Sequence, residues 1–282
     1  MSDASTVATI EDADTFDDYA ESHDDPRFTD WLRERSEPAW SDAVDHRFTR
    51  ELGAGTLDEA VMAAYLTQDY AFVDTLVGVF GYAVGQATTM AAKRRFVEFL
   101  DVVTDDEDAY FERSFDALAV PPENWQTPER TATTEGFIDL LLAAKEQGGY
   151  AETLAVLVPA EWIYRSWATR EAEDRPEQFY LAEWIDLHAN DDFVAFVTWL
   201  REQLDTVGPT LSPRRQQRVA RLFQRTVVQE VAFFDAAYDA VSSTRQSRSR
   251  RLQDACPALL RQQCRRSSPA GCRLRPAGSP RV

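Results

Sequence analysis

Three acidic residues on helix faces that are otherwise apolar restrict the ways in which this chain can fold. They are Asp69, Glu161 and Glu230, and each is followed by an aromatic residue about one helical turn later. Because residues three and four apart share a helix face, each carboxylate points toward the expected core. A buried carboxylate without a partner is strongly destabilising. Three of them with the same aromatic companion predict one polar pocket shared by several helices.

Apolar residues recur with the period of a helix over most of residues 26–241, and alternating β-branched runs are absent. Capping signals indicate where helices start. Residues 56–59 form a capping box that opens a long helix to about Gln86, and Asn190 opens another. Thr104 with Glu107 is read as the cap of a further helix. The sequence predicts one all-α domain of about eight helices.

The charge of the main body is strongly acidic. Residues 1–240 carry 20 Lys and Arg against 47 Asp and Glu, and only two of the basic residues are lysines. Concentrated salt screens the self-repulsion of such a surface, so we predict a halophilic source. Nucleic-acid binding needs a basic surface and is not expected. No segment approaches the roughly 20 apolar residues of a membrane helix, and no signal peptide is evident, so we expect a cytoplasmic protein without a membrane partner.

The two ends of the chain differ from the body. Residues 1–25 are acidic and are expected to be flexible. Residues 242–282 contain ten arginines, one acidic residue and the three cysteines of the chain. Their composition favours a disordered extension or a segment translated out of frame. The alternative is a basic arm or a cysteine metal site, but single cysteines eight residues apart match no common zinc pattern. The folded domain is therefore placed at residues 26–241.

Several ordered motifs resemble the TenA/thiaminase II family. Residues 46–57 resemble its His-Pro-Phe…Leu…Gly-Thr-Leu entry to a long helix, and residues 68–72 resemble its Gln-Asp-x-x-Tyr motif. Residues 157–164 resemble its Leu-Leu-Pro-Cys-x-Trp-x-Tyr motif, and Glu230 resembles the acid of its last helix. The resemblance implies the haem-oxygenase-like fold, a homotetramer and a thiamine-salvage hydrolase that needs no cofactor or metal. The implied substrates are aminomethyl- or formylaminomethyl-pyrimidines, which are converted to hydroxymethylpyrimidine.

One departure from the family pattern changes the expected chemistry. Ala160 stands where thiaminase-type members carry a nucleophilic cysteine, and residues 26–241 contain no cysteine that could replace it. Glu161 resembles the glutamate of the subgroup that lacks this cysteine. Cleavage of thiamine by covalent attack is therefore not expected, while a pocket for an aminopyrimidine is.

The resemblance and the helix faces together suggest roles for the site residues. Asp69 is expected to form hydrogen bonds with the ring nitrogen and the exocyclic amine of the pyrimidine. Glu230 is expected to give a proton to the leaving amine. Glu161 would activate water or hold the amino substituent, unless it pairs with a nearby arginine such as Arg165 or Arg170. The expected walls of the pocket are aromatic, together with His188, where the family usually has an aromatic residue. The alternative for the three phenylalanines is a place in the ordinary core, and for His188 a place at the surface. These wall residues are Phe72, Phe137, Tyr164, Phe234 and His188.

Two other functions remain open from the sequence. A haem-oxygenase-like di-iron oxidase would share the fold, but it needs several carboxylates and histidines at helical spacing. The three histidines of the chain do not stand three or four residues from the proposed acids. A non-catalytic small-molecule-binding or regulatory protein is the other alternative. Hydrolysis of aminopyrimidine analogues, as opposed to binding without turnover, distinguishes it from an enzyme.

Overall fold

The computed structural model of the chain describes residues 15–173 and 175–266, with only the backbone described from residue 247 onward. Every regular element in these ranges is helical, so the all-α prediction is confirmed. The helices of the amino-terminal half are α1 (Phe16–Glu21), α2 (Phe28–Glu34), α3 (Ala39–Val44), α4 (Arg47–Gly53), α5 (Glu59–Gln86), α6 (Met90–Val102), α7 (Asp108–Ala117) and α8 (Pro122–Trp125). The remaining helices are α9 (Ala132–Gln147), α10 (Tyr150–Glu171), α11 (Phe179–Ala189), α12 (Asp191–Val207) and α13 (Pro213–Arg266).

Thirteen α-helices in the described residues exceed the eight predicted, because short helices are difficult to recognise from periodicity. Helices α1 to α4 and α8 have only four to seven residues each. The long helices agree better with the sequence. Helix α5 ends at Gln86 as predicted, although Asp58, not Thr56, caps its first turn by accepting a hydrogen bond from Ala60. Asn190 caps α12 by accepting one from the backbone of Phe193.

Helices α6 and α7 and the turn between them form one continuous helical segment, where the sequence predicted the start of a separate helix. Helix α6 passes through a π-helical turn (Val103–Glu107) directly into α7. The Thr104 hydroxyl donates to the carbonyl of Leu100 one turn earlier, so Thr104 lies inside a helix and does not cap one. The predicted cap formed with Glu107 is therefore wrong. A π-turn inserts one residue, so the side chains after it are rotated relative to those before it.

Helix α10 is the centre of the core and packs against α5, α9, α11 and α12. Its residues from Ala151 to Ile163 are all buried. Pro159 lies inside this helix, two residues before Glu161. The start of α10 is fixed by Glu152, which accepts hydrogen bonds from the backbone of Gly149 and from Arg215 of α13. These contacts hold α10 and α13, two of the helices that carry the proposed acids, in a fixed relation.

The motif at residues 46–57 has a structural role. The Nδ1 atom of His46 caps α4 by accepting a hydrogen bond from the backbone of Phe48 at 3.1 Å, and its Nε2 atom lies 3.2 Å from a carboxylate oxygen of Asp235. After α4, Gly55 adopts a φ of 66°, in the left-handed region that favours glycine. This part of the chain turns there toward the start of α5.

The chain forms two compact units, residues 1–239 and residues 240–282. In the second unit, the described part is the continuation of α13 to Arg266. This helix extends beyond residue 241, where the sequence analysis ended the domain; residues 267–282 lie outside the described residues, and the nature of the tail stays a prediction. Residues 1–14 of the predicted flexible segment also lie outside them. In the described part of that segment, Phe16 is buried against Phe28 and Trp31.

Candidate active site

A cavity of about 320 Å³ lies among the long helices of the first unit. Its walls come from α5, from α6 and the π-turn that follows it, and from α10, α11, α12 and α13. Asp69 of α5, Glu161 of α10 and Glu230 of α13 all line it. Only 4%, 6% and 2% of these residues are exposed. The structure therefore brings the three predicted acids together in one cavity, although their chemical roles stay predictions.

Burial makes these carboxyl groups unusually weak acids. Desolvation raises the pKa of Asp69 to about 7, against a smaller opposing effect of a hydrogen bond from Tyr65. Desolvation and then the nearby charge of Asp69 raise the pKa of Glu161 to about 8. The pKa of Glu230 is raised well above its ordinary range by burial, then by Asp69 and Glu161. At neutral pH the cavity therefore contains both protonated and ionised carboxyl groups, as general acid–base chemistry requires.

The two arginines considered as partners of Glu161 are engaged elsewhere. Arg165 donates to the Thr198 hydroxyl at 3.2 Å. Arg170 donates to Asp45 and to the neighbouring Glu171. Pairing of Glu161 with either arginine, which the sequence left open, is therefore wrong. The carboxyl group remains directed at the cavity.

Two tyrosines support Asp69. The hydroxyl oxygens of Tyr65 and Tyr164 lie 2.6 Å apart, and Tyr65 also hydrogen-bonds Asp69. A hydroxyl has one hydrogen, so when Tyr65 donates it to Asp69, Tyr164 must be the donor to Tyr65. Burial raises the pKa of both tyrosines well above the ordinary value of 10, so both remain neutral. Tyr164 also lines the cavity, as predicted.

The predicted aromatic walls divide into two layers. Phe72 lines the cavity, while Phe137 of α9 packs behind it with a ring-centroid distance of 4.5 Å. Phe234 likewise lies away from the lining and stacks on Phe48 at 5.1 Å. Phe137 and Phe234 therefore do not reach the cavity, which corrects their predicted contact with substrate. They fix the orientation of the residues in front of them.

His188 of α11 lines the cavity, and of the two places that the sequence left open, pocket lining and surface, it occupies the first. Its Nδ1 atom lies 2.9 Å from the carbonyl oxygen of Trp184, which can only accept, so the proton is on Nδ1. Burial lowers the pKa of His188 to about 4. The ring is therefore neutral at pH 7, and its Nε2 atom is a hydrogen-bond acceptor.

The sequence analysis missed a further acid in the cavity, Glu107 of the π-turn. Its side chain lines the cavity. Burial, followed by the charges of Asp69 and Glu161, raises its pKa well above the ordinary value. In the sequence, Glu107 looks like a capping residue because it lies in an acidic run, residues 105–108, of the kind found at exposed helix starts. Phe99 and Val103 stand eight and four residues before it and also line the cavity, and this spacing is a signal that could have placed Glu107 on the same face.

Three further observations concern the cavity lining and the described helices. Ala160 lines the cavity next to Glu161, so the position expected for a nucleophilic thiol carries a methyl group. Within the residues that the structure describes, no group of three or more His, Cys, Asp or Glu side chains is arranged to hold a metal ion. In the same residues, no helix has the length and apolar character needed to cross a bilayer.

Comparison with known proteins agrees with this architecture. The family profile described as TENA/THI-4/PQQC matches residues 33–240. A curated relative, the aminopyrimidine aminohydrolase of Halalkalibacterium halodurans, is 26% identical over 74% of this chain and 94% of its own length.

Solved structures show the same fold. A TenA family transcription regulator from Silicibacter sp. TM1040 superposes with a TM-score of 0.68 at 24% identity, covering 75% of this chain and 96% of the other. A domain with a heme oxygenase-like fold from Shewanella denitrificans superposes with a TM-score of 0.58 at 13% identity, covering 77% and 94%. The haem-oxygenase-like fold expected from the sequence is therefore confirmed.

Proposed function

Because this chain belongs to the TENA/THI-4/PQQC family, we propose that it is a thiamine-salvage hydrolase of the aminopyrimidine aminohydrolase type. Its substrate is an aminopyrimidine that carries an aminomethyl or formylaminomethyl group, and its product is the hydroxymethylpyrimidine. The convergence of the buried side chains of Asp69, Glu161 and Glu230 in one cavity is the observation that carries this proposal. The name of the curated relative supports the choice of substrate.

The net reaction of the aminomethyl substrate exchanges nitrogen for oxygen on one carbon. The ammonium form R–CH2–NH3⁺ and water give R–CH2–OH and NH4⁺, so the C–N bond breaks and a C–O bond forms. Nitrogen must carry a proton as it leaves, because an unprotonated amide anion is a very poor leaving group. Water must lose a proton as it attacks. The site therefore needs one group that holds a proton on the nitrogen and one that accepts a proton from water.

Glu230 and Glu161 fill these two needs in the proposal. Burial raises the pKa of Glu230 well above its ordinary range, which favours the protonated form and keeps a proton available to the leaving nitrogen. Glu161, with a pKa of about 8, is ionised in a fraction of molecules at pH 7 and accepts the proton of the attacking water. Product release restores both groups, since the ammonia takes up the proton that water has lost.

Asp69 holds the pyrimidine in this proposal. Its carboxyl group faces a ring nitrogen and the adjacent exocyclic amine, which form a polar edge of matching size. Phe72 and Tyr164 each stand three positions after an acid of the site and line the same cavity, so they can cover the faces of the flat ring. The absence of a thiol at Ala160 favours direct attack by water over covalent attack on the ring.

The decisive experiment is hydrolysis of the aminomethyl- and formylaminomethyl-aminopyrimidines by the purified full-length chain. Assays in molar salt also address the predicted halophilic character. We expect release of hydroxymethylpyrimidine, and we expect thiamine to be cleaved much more slowly. Binding of both compounds without turnover would contradict the proposal. A cytoplasmic location and a homotetramer are further predictions, which cell fractionation and light scattering would address.

A further inference from the structure

Glu107 is an acid in the cavity that the proposed mechanism does not use. It stands at the end of the π-turn, and its side chain lines the cavity with Val103 of the same turn. The two residues before it, Asp105 and Asp106, are exposed. The extra residue of a π-turn therefore directs one carboxylate of this acidic run into the cavity while its neighbours remain in solvent.

The cavity has an excess of acidic groups that the described residues do not neutralise. Its four buried or half-buried acids are Asp69, Glu107, Glu161 and Glu230. His188 contributes no positive charge, since burial keeps it neutral. Arg95 is the cation in the described lining, and it lies 3.7 Å from its partner Glu98. Such a cavity binds a cation more favourably than a neutral molecule of the same shape, because the cation can replace a proton that burial holds on one of these carboxyl groups and pair with the carboxylate that results.

We propose that Glu107 determines specificity by accepting a hydrogen bond from the protonated aminomethyl group of the substrate. The cavity thereby selects the cationic aminomethyl-aminopyrimidine over its neutral N-formyl counterpart. This inference rests on the proposed function and deepens it, because it chooses between the two substrate classes. It also assigns a role to a cavity acid that the family resemblance leaves without one.

Glu107 lies close enough to Asp69 and Glu161 for their charges to act on it. A substrate that bridges these acids can therefore place its ring edge on Asp69 and its ammonium group near Glu107. A charge-assisted hydrogen bond of this kind is about twice as strong as one between neutral groups. The N-formyl substrate has a neutral amide nitrogen and cannot form it.

The same contact favours release of the product. Hydrolysis converts the ammonium substituent into a neutral hydroxyl, so the organic product loses the charge that Glu107 binds. The positive charge leaves on NH4⁺, and the rim of the cavity carries Glu98 and Asp192. An acidic rim attracts a small cation, so both products can separate from the four inner carboxyl groups.

The test compares Glu107→Gln with the wild-type chain on both substrates in the same buffer and salt. We expect kcat/KM for the aminomethyl substrate to fall at least about tenfold, which is the loss of one charge-assisted hydrogen bond. The value for the N-formyl substrate should change less than about threefold. Asp106→Asn is the matched control, since it removes one charge from the same turn on its solvent side. It should leave both values unchanged.

Glu107→Asp separates charge from structure. It keeps the carboxylate but shortens its reach, so it should retain more of the preference for the aminomethyl substrate than Glu107→Gln does. Equal losses on both substrates in the two variants, with a lower melting temperature, would show that Glu107 is only structural and would overturn the proposal. An unchanged substrate ratio in Glu107→Gln would also overturn it.

A binding measurement distinguishes failure of this inference from failure of the proposed function. Calorimetry gives the affinities of the aminomethyl compound and of the hydroxymethyl compound for each variant. If the wild-type chain hydrolyses neither substrate, the proposed function is wrong. The role of Glu107 is then tested by the ratio of the affinity for the aminomethyl compound to that for the hydroxymethyl compound. A fall of at least about tenfold in this ratio in Glu107→Gln would support the role, and an unchanged ratio would overturn it.

Discussion

The hydroxyl oxygens of Tyr65 and Tyr164 lie 2.6 Å apart across two helices, and Tyr65 passes the hydrogen-bond chain on to Asp69. Tyr65 is on α5 with Asp69, one turn earlier, while Tyr164 is on α10, three residues after Glu161. The pair therefore links the helix of the proposed pyrimidine-binding acid to the helix of the proposed base. The hydrogen bond from Tyr65 therefore stabilises the ionised form of Asp69.

Tyr65→Phe should weaken ligand binding at pH 7 and restore it at higher pH. Tyr65 lowers the pKa of Asp69 through its hydrogen bond, so removal of the hydroxyl raises that pKa above its present value of about 7. Less of Asp69 is then ionised at pH 7. Affinity for hydroxymethylpyrimidine should fall by about three- to tenfold at pH 7 and recover at pH 9. Calorimetry at the two pH values checks this, with the exposed Tyr82→Phe on the same helix as control.

Asp69→Asn should reduce affinity more than it changes folding. Asparagine keeps the shape of the side chain but loses the charge that strengthens the hydrogen bonds to the aminopyrimidine edge. A loss of about 10- to 100-fold in affinity is expected, with an unchanged circular dichroism spectrum. Asp74→Asn, an exposed change on the same helix, is the control. Unaltered affinity in Asp69→Asn would indicate a structural role for this acid.

Glu230→Gln should abolish turnover in a chain that still folds. The amide has the same size, but it has no acidic proton and cannot keep the nitrogen protonated while the C–N bond breaks. A decrease in kcat of about 10²- to 10⁴-fold is expected. Steady-state assays and circular dichroism measure the two effects, and the exposed Asp239→Asn on the same helix should behave as the wild type. Full activity would remove Glu230 from the mechanism.

The pH dependence of turnover should report the ionisation of Glu161. A base acts only when it is ionised, so kcat should fall as the pH decreases below about 8, the pKa of Glu161. Asp69 contributes to that high pKa through its negative charge. In Asp69→Asn this contribution is lost, and the rising limb of the profile should move to lower pH. An unshifted limb would show that the limb belongs to another group.

The buried carboxyl group of Glu161 should also cost stability at high pH. It binds its proton more tightly in the folded chain, with a pKa of about 8, than at its ordinary value of 4.5. The unfolded chain therefore releases this proton first, and the free energy of unfolding falls as the pH rises from about 4.5 to about 8. Glu161→Gln removes the effect and should raise that free energy by on the order of 2 kcal/mol at pH 9. Denaturation at pH 4 should show no such gain.

Much of the fold could be predicted from the sequence because helical periodicity is a local property. The long helices and the caps at residues such as Asn190 depend on side chains within one or two turns. The same local rule placed Asp69, Glu161 and Glu230 on apolar faces. Since an apolar face must be buried, the sequence alone determined that these three acids lie inside the protein.

Only the tertiary structure decided which side chains meet. In the sequence, Phe137 and Phe234 look like Phe72, since all three are phenylalanines on apolar helix faces. In the structure, Phe137 packs on Phe72 and Phe234 packs on Phe48, away from the cavity. Glu107 lies in an acidic run in which Asp105 and Asp106 are exposed, and only the packing of this segment against the other helices shows that Glu107 lines the cavity. The sequence therefore specified which residues are buried, because burial follows from a pattern along one helix. It did not specify which residues share a cavity, because that follows from the packing of several helices against one another.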